Sequence, residues 1–141
     1  MPYEYLDHPA DLGIRGIGST PQEALSEGAQ AMLAAMADVK GVQQRQQLTQ
    51  RCTAPDIASL FVAWLNELLY QRDVNDLLFA AARVTRLEQS DEGWVLEGIA
   101  CGERLDRNRH EIHTEIKAAT YCGLEYRSEP GRYTIQCVVD L

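Results

Sequence analysis

At 141 residues the chain has room for one domain with its own core and none for a second. A hydrophobic fraction of 45% with 24% charged residues argues against disorder, and a net charge of −8 with a pI near 4.8 opposes sequence-independent binding to nucleic acid, which depends on phosphate neutralisation by Lys and Arg. No run of about eighteen apolar residues offers a membrane span, and the start Met1-Pro2-Tyr3-Glu4-Tyr5 has no signal-peptide character, so the expectation is a soluble, cytoplasmic protein.

Residues 3–17 alternate loosely and are interrupted by Pro9, Gly13 and Gly16, which predicts a short strand, a turn around His8-Pro9-Ala10-Asp11 and a second strand. A helix start follows. Thr20 can cap, Pro21 takes the first helical position and Glu23 completes a capping box with Thr20. Leu25, Ala29, Met32, Leu33 and Met36 recur at helical spacing, and Gly41 closes the segment. Its methionines read as core filler.

Residues 42–53 are polar and glutamine-rich, a loop running into an exposed strand. Pro55-Asp56 announces a second helix, whose stripe of Ile57, Leu60, Phe61, Trp64, Leu65, Leu68 and Leu69 should bury against a sheet, with Asn66, Glu67 and Gln71 off it. Beyond Leu77 the period shifts towards two. Residues 79–88 and 94–101 flank Asp91-Glu92-Gly93, a hairpin signal, and residues 102–109 are charged and break the pattern. Residues 114–121 and 133–140 read as two more strands, joined across Ser128-Glu129-Pro130-Gly131. The expected fold is α+β, a single domain over residues 1–141, with two main helices on one face of a mostly antiparallel sheet of about six strands.

Cys52, Cys101, Cys122 and Cys137 contain no close pair, which excludes a zinc ribbon or a thioredoxin-like site and predicts reduced thiols. Asp11 and Asp140 are the candidates for chemistry. Two carboxylates from opposite ends of the chain, with the chain-terminal oxygens beside Asp140, make a hard-oxygen donor set if the terminal strands meet. The alternative is that Asp11 caps a turn beside Gly13 and Asp140 is a solvated strand end. His8, His110 and His113 have no spacing that forces convergence on a transition metal. Lys117 could neutralise buried carboxylates or reach a phosphate, or it could simply guard a strand edge. No nucleotide-binding glycine loop, nucleophile elbow or metalloprotease helix is present.

Taken together the blocks resemble the archease family. They are Asp7-His8-Pro9-Ala10-Asp11-Leu12-Gly13-Ile14, Thr20-Pro21-Gln22-Glu23-Ala24 and Phe61-Val62-Ala63-Trp64-Leu65-Asn66-Glu67-Leu68-Leu69-Tyr70. Gly102-Glu103, Arg109-His110, Glu115-Ile116-Lys117-Ala118-Ala119-Thr120-Tyr121 and Val138-Val139-Asp140-Leu141 complete the set, in the family's order. The resemblance implies an elaborated strand-helix-strand-strand fold. It also implies a protein cofactor, not an enzyme. Its partner is the RNA-splicing ligase RtcB, which uses GTP and Mn²⁺ in tRNA splicing and RNA repair, and the cofactor promotes ligase guanylylation and multiple turnover. It places a divalent metal site at Asp11, Asp140 and Leu141, with Ca²⁺ as the family's ion and Mg²⁺ or Mn²⁺ also suited to oxygen ligands. His8, Lys117 and His110 become partner-contact or site-supporting residues. Departures are Pro9 for the usual threonine, Cys122 where histidine often follows the tyrosine, and leucine for isoleucine at positions 12 and 141. Two other classes stay open: a chaperone-like module binding other proteins through an exposed edge or the glutamine-rich segment, and a small metal-dependent hydrolase using Asp11 and Asp140.

Overall fold

The computed structural model describes residues 2–8 and 11–141, with the side chains of Asp7 and His8 excepted. Pro9 therefore lies outside the described residues. The elements run β1 (Tyr3–His8), β2 (Asp11–Gly18), α1 (Pro21–Met36), a 3-10 turn at Val39–Gly41, β3 (Gln46–Ala54), α2 (Ile57–Asn75), β4 (Leu77–Ser90), β5 (Gly93–Arg104), β6 (Ala118–Ala119), β7 (Glu125–Glu129) and β8 (Arg132–Asp140). The fold is α+β, as the periodicities predict.

One sheet becomes two. A five-stranded sheet has the order β1-β2-β8-β6, with β7 also on β8, and a separate three-stranded sheet has the order β3-β5-β4. Every strand pairing among the described residues is antiparallel. The helices do not lie on one face of one sheet, because each touches both sheets. The last strand is central: β8 pairs with β2 along one edge and with β7 and then β6 along the other.

Local chemistry explains each helix. Thr20 caps α1 by accepting from the Glu23 N–H at 3.1 Å, but Glu23 reaches back to Ser19, not to Thr20 as a capping box requires. The helix ends at Met36, ahead of Gly41, because extended Ala37 leaves to bridge Ile112. Gly16 and Gly28 let α1 lie directly on β2: a Cβ on Gly16 would meet the Ala24 carbonyl oxygen at 2.0 Å. Asp56 caps α2 by accepting from the Ser59 N–H at 2.7 Å, which holds its carboxyl below the usual range. The whole predicted stripe of α2 is buried, with Leu60, Phe61, Trp64 and Leu65 fully so.

Amide side chains of the helices finish the sheet edges. Gln30 of α1 donates to the Ala80 carbonyl of β4 at 2.9 Å, and Asn66 of α2 both donates to and accepts from the backbone of Ala119 at 3.1 and 2.8 Å. The strand expected over residues 114–121 shrinks to Ala118–Ala119, paired with β8 on one edge. On the other edge α2 side chains take the place of a strand, Asn66 at Ala119 and Arg72 at the Ile116 carbonyl. Gln50, from the glutamine-rich segment, is buried and accepts from Trp64 Nε1 at 3.2 Å while donating to Gln71. The charged run does not break β5, which continues through Arg104 and buries Glu103.

Candidate functional site

Strand register places the two sequence-predicted acids together. In the β2–β8 ladder Asp11 lies directly opposite Asp140, Leu12 opposite Val139 and Ile14 opposite Cys137. Ile14, Cys137 and Val139 are buried, so alternation puts Asp11 and Asp140 on the other, outward face. Arg15 and Gln136 share that face and hydrogen-bond, with Arg15 Nη2 donating to Gln136 Oε1 at 2.7 Å. A one-residue slip of either strand would turn its aspartate to the core face, so the buried neighbours fix the register of the pair.

Directly opposed side chains stand about 5 Å apart at Cβ, and like charges in that arrangement repel. A hard cation relieves the repulsion, and carboxylates are the donors such cations prefer. The carboxylates of Asp11 and Asp140 are hard oxygen donors, the kind that suits Ca²⁺, Mg²⁺ or Mn²⁺. Among the described residues no group of three or more His, Cys, Asp and Glu side chains gathers to hold an ion, so a cation between Asp11 and Asp140 would draw its further ligands from elsewhere.

Lys117 joins this end through its backbone, its N–H donating to the Asp140 carbonyl at 2.8 Å, while its side chain is exposed. Leu141 is exposed, and Ala118 pairs with Asp140 on the far side from Asp11. His8 is the backbone partner of Asp11 in the β1–β2 ladder; its side chain lies outside the described residues. The four cysteines form no disulfide, and burial pushes Cys137 up to about 12 and Cys52 to about 11.

His110 belongs elsewhere. It is buried, and its ring is used up within the chain: Nδ1 accepts from the Asp106 N–H at 3.0 Å, leaving Nε2 to donate to Glu103 Oε2 at 2.9 Å. It supports the structure around Glu103 and presents no surface to a partner. Glu103 also receives Arg109 Nη2 at 2.5 Å, the Gln43 N–H at 2.7 Å and Arg45 Nε at 3.4 Å. The Arg109 hydrogen bond first, then the Gln43 N–H and His110, hold its carboxyl down at about 2. Charge runs alone do not reveal this cluster. A strand-end glutamate followed seven residues later by histidine is the only local sign of it.

The Archease protein family profile matches residues 3–141. The chain is 34% identical to the archease of Methanopyrus kandleri over 141 residues, 100% of both chains, and 38% identical to that of Thermococcus gammatolerans over 99% of this chain and 98% of that one. A solution structure of a Methanobacterium thermoautotrophicum protein superposes with a TM-score of 0.85 at 29% identity, covering 99% of each chain. A crystal structure of a Thermotoga maritima archease, described as a possible chaperone, shares the fold with a TM-score of 0.60 at 18% identity, covering 98% of this chain and 96% of that one.

Proposed function

The chain belongs to the archease family, and from that premise we propose that it is a protein cofactor of an RtcB-type RNA ligase, acting through a divalent cation held by Asp11, Asp140 and an oxygen of Leu141. One observation carries the site: the register that sets Asp11 opposite Asp140 on an outward face. The chain's own part is to fix those carboxylates. Buried Val139 and Ile14 set the strand register, and the Lys117 N–H ties down the backbone of Asp140. When bound, the ion supplies concentrated positive charge of the kind that phosphate-handling clefts use. The side chain of Lys117, exposed beside Asp140 in the chain's fold, is suited to meet the ligase or a phosphate.

The test is RNA ligation by the cognate ligase at limiting enzyme with GTP and Mn²⁺, with and without this protein. Product well beyond one ligation per enzyme, lost with folded Asp11→Ala, is the expected result. Equal stimulation by wild type and Asp11→Ala overturns the site. No stimulation of an active ligase overturns the cofactor role and moves the chaperone-like reading to first, tested by suppression of aggregation of unrelated proteins. Phosphoester turnover by the protein alone, abolished by chelation, would instead favour the hydrolase.

A further inference from the structure

An acidic chain with only 13 Lys and Arg residues gathers four of them, Arg45, Arg104, Arg107 and Arg109, around one open basin. The carboxylates on the same basin are Glu103 and Asp106, so it is net positive on a molecule of charge −8. Among the described residues Arg104 and Arg107 make no ion pair, and both are exposed. Arg109 is held by buried Glu103, and Arg45 reaches the same carboxylate oxygen with its side chain still 68% exposed.

The loop that carries these arginines is fixed. The Asp106 carbonyl accepts from the Arg109 and His110 N–H groups at 3.1 and 2.8 Å, and the Asp106 carboxylate accepts from the Asn108 N–H at 3.0 Å. The Leu105 N–H donates to the Asp76 carbonyl at 3.0 Å, and the His113 N–H to the Met36 carbonyl at 2.8 Å. A fixed loop gives up little entropy on binding.

Beside the basin, and sharing Leu105 and Arg107 with it, lies a cavity of about 270 Å³ walled by Met36, Leu78 and Ile112. Its rim carries Asp73, Asp76 and Glu115 with Arg72. Nucleic acid suits this surface poorly, because neither lining contains an aromatic ring on which a base could stack. A polypeptide suits it: carboxylates for the arginine forks, then an aliphatic side chain for the cavity.

We propose that the loop over residues 104–112, with the cavity beside it, is the docking groove for an acidic and aliphatic segment of the ligase partner. This rests on the ligase reading above and adds to it where, and with what chemistry, the two proteins meet. The groove also leads towards the acid pair. Residues 113–117 run from it to Lys117, whose backbone is bonded to Asp140.

The experiment is calorimetric titration of the active ligase with wild type, with Arg104→Glu/Arg107→Glu and with the charge-matched control Arg83→Glu/Arg86→Glu, at low and high salt. Wild type is expected to bind, more weakly as salt rises. The groove variant should lose about tenfold or more in affinity and most of its salt dependence, with the control unchanged. Circular dichroism and thermal melts establish folding. If the groove variant melts early, Arg104→Gln/Arg107→Gln replaces it, with a smaller loss in the same direction. Binding of that variant within twofold of wild type overturns the groove while leaving the ligase reading standing. A wild type that neither binds nor stimulates the ligase overturns both. Binding of single-stranded RNA that is lost in the groove variant, with ligase affinity unchanged, overturns the groove in favour of a nucleic-acid surface.

Discussion

Two regions of the molecule handle carboxylates in opposite ways. At one, Glu103 is buried at the end of β5 and receives Arg109, Arg45, His110 and a backbone N–H. At the other, Asp11 and Asp140 stand opposite each other on the outward face of β2 and β8. A buried acid that has collected its counter-charges is a structural joint, and removing one partner strands the rest. Like charges opposed across a ladder repel, and on an outward face they stay accessible to solvent and to whatever the protein meets. The difference separates what holds this protein together from what it presents.

The sharpest way to break that comparison is to remove the outward charges. Asp11→Asn with Asp140→Asn should abolish stimulation of the ligase while leaving thermal stability without metal unchanged or higher, since the repulsion is gone. Ca²⁺ should raise the melting temperature of wild type, by an amount equivalent to about 2.7 kcal/mol when the ion is at a hundred times its Kd, and should not move the double variant. A loss of stability in metal-free double variant would make the pair a structural joint like Glu103 and erase the contrast.

Next in size is Asn66→Ala. It strands the N–H and carbonyl of Ala119 at the edge that flanks Asp140, and about 1–3 kcal/mol should be lost in denaturant melts. Because β6 sits against Asp140, Ca²⁺ affinity should fall as well. Unchanged affinity would show that the acid pair is positioned by β2 and β8 alone.

Glu103→Gln sharpens the other side. Its folded carboxyl sits at about 2, below its ordinary value of 4.5, so its stabilising contribution is complete above about pH 4.5 and disappears as pH falls towards 2. Wild type should therefore lose stability through that acid window, and Glu103→Gln should flatten the curve there while lowering stability at neutral pH. Urea melts from pH 2 to pH 7 check both. An identical slope in the two proteins would mean that the ion cluster contributes nothing to folding.

The same two regions differ in how far sequence reveals them. The α2 stripe is legible because a helix buries one face, and every member from Ile57 to Leu69 is inside. The acid pair is legible as residue types, and its meeting requires that the second strand, β2, pair with the last, β8, which it does. The splitting into two sheets is not legible. It depends on β3 pairing with β5 across α2 and β4, a choice made by tertiary packing and not by local pattern. The missing strand before Ala118 is invisible because the Ile116 carbonyl there accepts from Arg72, a side chain of α2, and nothing in the local pattern announces that bond. Glu103 is hidden for a related reason: its partners come from positions 43, 45, 109 and 110, so a charged run on paper becomes a buried joint in space.

The smallest effect expected is at His113. Its Nε2 is 2.9 Å from Glu111 Oε2, and that hydrogen bond, with further help from the Ala34 backbone and Asp38, raises its pKa above the ordinary 6.5. A raised folded value means that the charged ring favours the native state. The contribution is therefore full below about pH 6.5 and is lost as pH rises through the folded value. Both side chains are largely solvated, so the pair is worth little. Its position is what makes it informative. The Asp38 N–H bonds the Glu111 carbonyl and the His113 N–H bonds the Met36 carbonyl, so this stretch ties the arginine loop to the end of α1. His113→Gln should remove a slight fall in stability above about pH 6.5 and leave ligase affinity at lower pH within twofold of wild type. Hydrogen exchange of the 105–113 amides reads the same event locally: faster exchange in the variant below that pH, and no difference above it, is the pattern that ties His113 to the loop, whereas equal exchange throughout would assign the loop's rigidity to Glu103 and the backbone bonds alone.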